Sequence, residues 1–187
     1  MMTIAGGVEA EALDAGMDEG LLFETFIVSN RARLVRLAAL VSGDVASAQD
    51  IVQIACERAW KARHTFRPDA PMRPWLDRIV VREAARERRS RLARLSRVIR
   101  PQQIGPISEP HSESLDATAV SLQERAAVRD ALASLSVRHR AVVVLHLHAG
   151  YTVDEVAVML DLPRETVRSR LRKAREQLRS ALDGVDR

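Results

Sequence analysis

YTVDEVAVMLDLPRETVRSRLRKAREQL, Tyr151 to Leu178, is the stretch on which the fold turns. Its first half is apolar and acidic, its second half is crowded with arginine, and Asp161-Leu162-Pro163 separates them. Thr152 is placed to cap a first helix, with Glu155 three residues on to complete a capping box. Val153, Val156, Ala157 and Leu160 make the inner face of that helix. Pro163 is tolerated at the start of the next one. There Val167, Leu171, Ala174 and Leu178 recur at steps of four, three and four and predict one buried stripe. The small side chain of Ala157 permits a close crossing, and Val167 fills the gap. Two short helices meeting steeply across a tight turn form a helix-turn-helix.

With that stripe buried, Arg164, Glu165, Arg168, Ser169, Arg172 and Arg175 face outward, flanked by Thr166, Arg170 and Lys173. The N-terminal part of such a helix enters a major groove, where arginine pairs with guanine edges and threonine or serine meets bases or phosphates. The later cations suit phosphate oxygens. A run of charge is usually just a solvated helix face. Here seven cations (Arg164, Arg168, Arg170, Arg172, Lys173, Arg175, Arg179) oppose two acids (Glu165, Glu176) on a helix-turn-helix frame, and the reading shifts to DNA.

The rest of the chain agrees. It has 187 residues, of which 47% are hydrophobic and only 3% aromatic, a composition that suits packed helices better than a sheet. The net charge of +4 is small, so where the cations lie matters more than their sum. Cys56 is the single cysteine, which excludes an internal disulfide and fits a reducing cytosol. No apolar run approaches the roughly 20 residues that span a bilayer, and the N-terminus lacks the basic, then apolar pattern of a signal peptide. The expected location is cytoplasmic, and the chain is not expected to be embedded in a membrane.

Periodicity predicts an all-α fold of two small helical domains. Residues 1–20 are acidic and glycine-rich and read as a flexible tail. From Leu21, apolar residues through Phe23, Phe26, Ile27, Leu34, Leu37, Ala38 and Val41 define a first helix that Gly43 ends. Ala48, Ile51, Val52, Ala55 and Ala59 define a second, reaching about Ala62. The proline-rich stretch Arg63–Pro74 is a loop, and a third helix opens near Trp75 with a long arginine series. These elements make a domain over 21–99. Residues 100–118, rich in proline and serine, are a linker. A second domain over 119–187 begins with a helix ending near Ser136. The valine run in Arg138–Gly150 is ambiguous between strand and helix, and its position between helices favours a buried helix that Gly150 stops.

The quoted C-terminal stretch resembles region four of extracytoplasmic-function sigma factors, small bacterial subunits of RNA polymerase that keep two helical domains. GDVASAQDIVQIACERAW, Gly43 to Trp60, resembles the family's region-two helix, with Ala48, Asp50, Val52, Gln53 and Trp60 in place. PWLDRIVVREAARERR, Pro74 to Arg89, resembles the segment that opens with Trp-Leu and ends in arginines. The likeness covers about Leu21 to Leu182. It implies a protein that binds core RNA polymerase, through the β′ clamp helices and the β flap, and directs promoter recognition and DNA opening.

Site roles follow from the resemblance. Asp50 and Gln53, with Arg58 nearby, would meet the polymerase. Arg164, Glu165, Thr166, Arg168, Ser169, Arg172, Lys173 and Arg175 would read the minus-thirty-five element. Phe66 and Arg67 lie in the loop that captures an extruded minus-ten base, an act of unstacking that costs a few kcal/mol. Arg78, Arg82, Arg86 and Arg89 would contact the same element. Together with Arg88, Arg91, Arg94 and Arg97, opposed only by Glu83 and Glu87, they form a series able to line a strand of phosphates. Trp60 and Trp75 read as core rather than as stacking platforms. The linker acids Glu109, Glu113 and Asp116 sit where the family's tether passes toward the catalytic cleft. Many relatives are restrained by an anti-sigma factor, so such a partner is expected.

Several positions depart from the family pattern. Glu165 stands where glycine is usual, Asp161 takes a turn position where glycine is common, and Ile54 replaces a usual acid. Arg82 and Arg86 fall where asparagine and aspartate are frequent. These bear on promoter preference, not on class. No catalytic residues are expected: the five histidines and one cysteine show no metal-ligand spacing, and no glycine-rich phosphate loop or nucleophile elbow is present. No metal, cofactor or small-molecule substrate is implied. A stand-alone helix-turn-helix regulator of the response-regulator output type carries the same local pattern, and stays open as the alternative.

Overall fold

The computed structural model describes residues 19–67, 69–98 and 119–183. These residues form seven α-helices and no strand. In chain order they are α1 (Glu19–Ser42), α2 (Ala48–Lys61), α3 (Met72–Val98), α4 (Ala119–Ser134), α5 (Val137–Val143), α6 (Val153–Leu160) and α7 (Arg164–Asp183). One turn of 3-10 helix, Arg63–Thr65, follows α2, and a π-helical turn, Val144–His148, continues α5. Apart from Glu19 and Gly20, which open α1, the expected tail lies outside the described residues, as does the expected linker over 100–118.

Contacts divide the chain between Arg33 and Leu34. The described residues before that point belong to the opening turns of α1, where Asn30 donates to the Phe26 carbonyl at 3.0 Å. All later elements lie in the second unit.

Within the second unit the helix boundaries have local causes. α1 stops at Gly43, whose φ of +73° is the left-handed turn that glycine adopts without penalty. α2 buries Ala48, Ile51, Val52, Ala55 and Ala59, the stripe its periodicity predicts. α3 starts three residues before Trp75 and buries Leu76, Val80, Val81, Ala84 and Ala85. The valine run is helical. Ser136 caps α5 by accepting from the His139 amide at 3.3 Å, which commits the backbone to a helix. Val142, Val143, Val144 and Leu145 are all buried. Four consecutive buried residues are compatible with a helix because α3 and α7 both pack on α5.

α3 is the spine of this unit, packing on α2, α5 and α6, while α7 packs on α4, α5 and α6. Two residues expected in the core differ from that expectation. Trp60 is 40% exposed, with the Arg63 guanidinium 4.4 Å from the indole centroid. Trp75 is half-buried, its ring 5.3 Å from that of Phe66. As the last apolar residue of a short helix, Trp60 sits at the rim, where α2 no longer has α3 above it.

Candidate nucleic-acid interface

The C-terminal pair α6–α7 is built by local rules. Thr152 accepts from the Glu155 amide at 3.2 Å, and the Glu155 carboxylate accepts from the Thr152 amide at 2.7 Å, a complete capping box. The backbone and then the side-chain hydrogen bond from Thr152 hold the Glu155 carboxyl below the usual carboxylate range. α6 ends at Asp161, which takes the left-handed conformation at φ 55°. Asp161 is the single described non-glycine residue with positive φ, and its short polar side chain makes that tolerable. The Leu162 amide then closes the turn on the Ala157 carbonyl at 3.0 Å.

Val156 and Met159 carry the buried side of α6, with Val153, Ala157 and Leu160 only half-buried. Across from them Val167, Leu171 and Ala174 are buried and Leu178 half-buried. The expected stripe of α7 therefore stands, and Met159 joins the inner face of α6. The opposite side of α7 is a cationic surface: Arg164, Arg168, Ser169, Arg172, Lys173 and Arg175 are exposed, and Thr166 and Arg170 are half-buried. Two of the cations are held by acids. Arg164 Nε lies 2.9 Å from Asp154, and Arg168 Nη1 lies 2.7 Å from Glu165. Ser169 donates to the Thr166 carbonyl at 3.0 Å. Desolvation, and then the nearby Arg138, lower the Arg170 guanidinium from its ordinary value.

The arginines of α3 divide into two groups. Arg82, Arg86 and Arg89 are exposed, and Arg78 is half-buried. Arg88 is buried: it donates to the Ser42 carbonyl at 3.1 Å and to those of Ala133 and Leu135 at 3.0 and 3.3 Å. Arg91 also donates to Ser42, at 3.1 Å, and pairs with Asp44 at 2.7 Å. Arg94 pairs with Glu87 at 2.7 Å. Arg88 and Arg91 therefore do not join a phosphate-lining series. They cap the carbonyl ends of α1 and α4, where a helix dipole favours cations. The Arg97 side chain lies outside the described residues.

In the loop, Arg67 is exposed and Phe66 is half-buried against Trp75. On α2, Asp50 and Gln53 are exposed on one face, Gln53 donating to Glu57 at 3.3 Å, and Ile54 beside them is 44% exposed. Arg58 is exposed too, but it is ion-paired to Glu83 of α3. No group of three or more His, Cys, Asp or Glu among the described residues is arranged to hold a metal. Burial raises the Cys56 thiol above its ordinary value.

Two polar features escaped sequence reasoning. Tyr151, at the mouth of α6, donates its hydroxyl to Asp77 of α3 at 2.7 Å, with both residues buried. Arg140, 2% exposed, donates through Nε to the Leu40 carbonyl. A signal existed for Asp77, because it lies on the buried side of α3 between Leu76 and Val81. Its donor, 74 residues away, had none.

An all-helical chain with a cationic helix-turn-helix behind a first helical region of this kind is a sigma-type transcription initiation factor. Residues 26–94 match the Sigma-70 region 2 family model, and residues 131–180 match Sigma-70, region 4. The ECF RNA polymerase sigma factor SigL of Mycobacterium tuberculosis is 34% identical over 95% of this chain and 99% of its own length. SigM of the same species is 33% identical over 83% of this chain and 74% of its own. Among solved structures, the sigma factor RpoE of Bartonella quintana, crystallised with the anti-sigma factor NepR, superposes with a TM-score of 0.64. It is 25% identical and covers 88% of this chain and 98% of its own. CnrH, solved with the cytosolic domain of CnrY, shares the fold at a TM-score of 0.62 and 23% identity, covering 94% of this chain and 95% of its own. The chain belongs to the extracytoplasmic-function family of RNA polymerase sigma factors.

Proposed function

We propose that this protein is a promoter-specificity subunit whose α7 reads the minus-thirty-five element, while α2 holds core polymerase and α3 with its preceding loop engages the minus-ten element. The observation that carries this is the two-sidedness of α7 in a sigma region-four frame. Val167, Leu171 and Ala174 are buried, and Arg164, Arg168, Arg172 and Arg175 stand exposed on the other side. Arginines so placed can pair with guanine edges at the helix start and with phosphates further along.

Asp50 and Gln53 are the polymerase contacts in this reading. They lie three apart on one exposed face of α2, beside Ile54 and opposite the buried Ile51 and Ala55. A carboxylate suits a protein helix and repels DNA. Residues 21–99 and 119–187 act as the two domains and 100–118 as their tether. The protein acts in the cytoplasm without catalysis of its own, and among its described residues no helix is long and apolar enough to cross a membrane. RpoE and CnrH were each solved with a partner, NepR and CnrY, and an anti-sigma factor is proposed here too.

Run-off transcription with purified core polymerase over a promoter library tests the reading. Transcription should depend on the protein and on both promoter elements. The double variant D50A/Q53A should bind core polymerase at least about tenfold more weakly, a loss of ~1.4 kcal/mol. Its melting should stay within about 0.5 kcal/mol of wild type, as for exposed sites generally. A wild-type protein that binds an operator tightly alone and ignores core polymerase would instead be a repressor-like regulator.

A further inference from the structure

The contact between region two and region four within the second unit is polar at its centre. Tyr151, of region four, donates to Asp77, of region two, at 2.7 Å with both buried. Arg73, one turn before Asp77, has its Nε 3.9 Å from the same carboxylate and its guanidinium carbon 5.7 Å from the Tyr151 ring centroid. Arg73 also donates to the Ala149 carbonyl at 3.1 Å. At the other end of the contact, Arg88 reaches the Ala133 and Leu135 carbonyls, and Arg140 reaches back to Leu40.

This is a poor design for a permanent core and a good one for a reversible contact. Arg88 Nε and Arg140 Nη1 are buried without a hydrogen-bond partner, and unpaired buried donors are costly. Arg88, Arg91 and Arg140 crowd the same helix ends with Asp44 paired to Arg91 alone. Burial, then Arg88 and Arg91, bring the Arg140 guanidinium down to about 9, so it is still a cation at pH 7 and still repelled by its neighbours. The interface holds, and it carries its own opposition.

The contact also limits reach. Elements centred near minus thirty-five and minus ten are separated by about 25 base pairs, or roughly 85 Å of duplex at ~3.4 Å each. Asp77 to Arg89 spans about 18 Å of helix at ~1.5 Å per residue, and all of α7 only about 30 Å. With the Tyr151 hydroxyl on Asp77, the reading surfaces of α3 and α7 are therefore much too close together to meet both elements. In the same state Arg82, Arg86 and Arg89 line a groove of about 550 Å³ whose other wall includes Arg138, Leu162 and Arg170 of region four.

We propose that Asp77, Tyr151 and Arg73 form a latch that holds regions two and four together in a closed, promoter-incompetent state, and that binding of core polymerase releases it. The latch rests on the promoter-subunit reading above. Extended, the chain between Val98 and Ala119 reaches about 70 Å at ~3.3–3.6 Å per residue, enough for the released regions to separate. Because only the open form engages polymerase with both regions, the apparent affinity for polymerase is lowered by the fraction that is open. Removing the latch raises that affinity.

The test uses the full chain in a Cys56→Ser background, with fluorophores on cysteines replacing exposed Lys61 and Ser180. Energy transfer should be high in the free protein and fall on addition of core polymerase. Tyr151→Phe, which removes one oxygen and keeps the ring, should lower the closed-to-open ratio about tenfold, the scale of a hydrogen bond to a charged acceptor. Its apparent affinity for core polymerase should rise by up to the same factor. Arg73→Ala, a half-exposed side chain, should do both to a smaller extent, and it decides the matter if Tyr151→Phe does not fold. Low transfer in the free wild-type protein, or wild-type transfer and affinity in the folded variants, overturns the latch. Run-off transcription by the wild-type protein is measured alongside. Its failure would remove the promoter-subunit reading, while the transfer change in Tyr151→Phe would still report the contact.

Discussion

In α7 the arginines at 164, 168, 172 and 175 stand outside a narrow apolar stripe, and the two that have acidic partners share them at an exposed surface. In α3 the arginines are as numerous, yet Arg88 is sunk among the carbonyl ends of α1 and α4, and Arg91 is tied to Asp44 and Ser42. The two helices use one residue type for opposite purposes. A guanidinium offers five donors in a fixed fork, which serves a phosphate strand or a set of unsatisfied helix carbonyls equally well. What separates the uses is the neighbour. α7 faces solvent over that side, whereas α3 is packed against α2, α5 and α6.

The comparison can be broken by substitution, and the largest effect is expected inside. Arg88→Ala should destabilise the protein by about 2–4 kcal/mol in thermal or urea unfolding, because it deprives buried carbonyls of their donor. A melt like that of wild type would mean that Arg88 does no more than the exposed arginines. On α7 the order reverses. Arg168→Ala and Arg172→Ala should leave melting within about 0.5 kcal/mol and cost about 1–3 kcal/mol in promoter binding, seen in anisotropy titrations. A base contact should alter preference at one position. A phosphate contact should weaken every sequence and flatten the salt dependence.

Smaller effects sharpen the contrast further. Thr152→Ala should cost about 1 kcal/mol by removing the cap that aims α6. The Glu155 carboxyl, depressed by Thr152, supplies its share above the ordinary carboxylate pKa and loses it as pH falls through the lower folded value. Acid melts of wild type should show that loss, and those of Glu155→Gln should not. Least of all, Glu165→Gln should shift stability by under about 1 kcal/mol, since its pair with Arg168 is exposed. It should modestly raise affinity for duplex DNA by freeing Arg168 and removing a charge that phosphates repel.

Most of this architecture was legible because it is local. The capping box, the break at Asp161 and the stripe Val167–Leu171–Ala174 are each set by residues within a few positions, and each stands as read. The same is true of the stripe on α2 and the stop at Gly43. What failed depended on long-range packing. The arginine series of α3 gave no sign that its residue 88 would meet helix ends 45 to 47 residues away. Trp60 looked like core because large aromatics usually are, and only the end of its helix leaves it at the rim. The candidate DNA and polymerase faces were legible as exposed positions on predicted helices, whereas the pairing of Arg58 with Glu83 required knowing that α2 lies on α3.

The π-helical turn Val144–His148 has a consequence for how this chain tolerates changes of length. The Ala149 amide bonds to the Val144 carbonyl at 2.9 Å, five residues back, and the Tyr151 amide to Leu145 at 3.1 Å, six back. Such a turn accommodates one residue more than an α-helix would, so everything after it is offset by about 100° about the helix axis. Deleting a single residue between Val144 and His148 would restore the ordinary ladder and swing Tyr151 out of line with Asp77, with no side chain of the pair replaced. Inserting one beyond Gly150 would leave that ladder intact and shift only the loop. The short run from Val144 to Tyr151 thus acts as a ruler, in which the number of residues carries as much information as their identity.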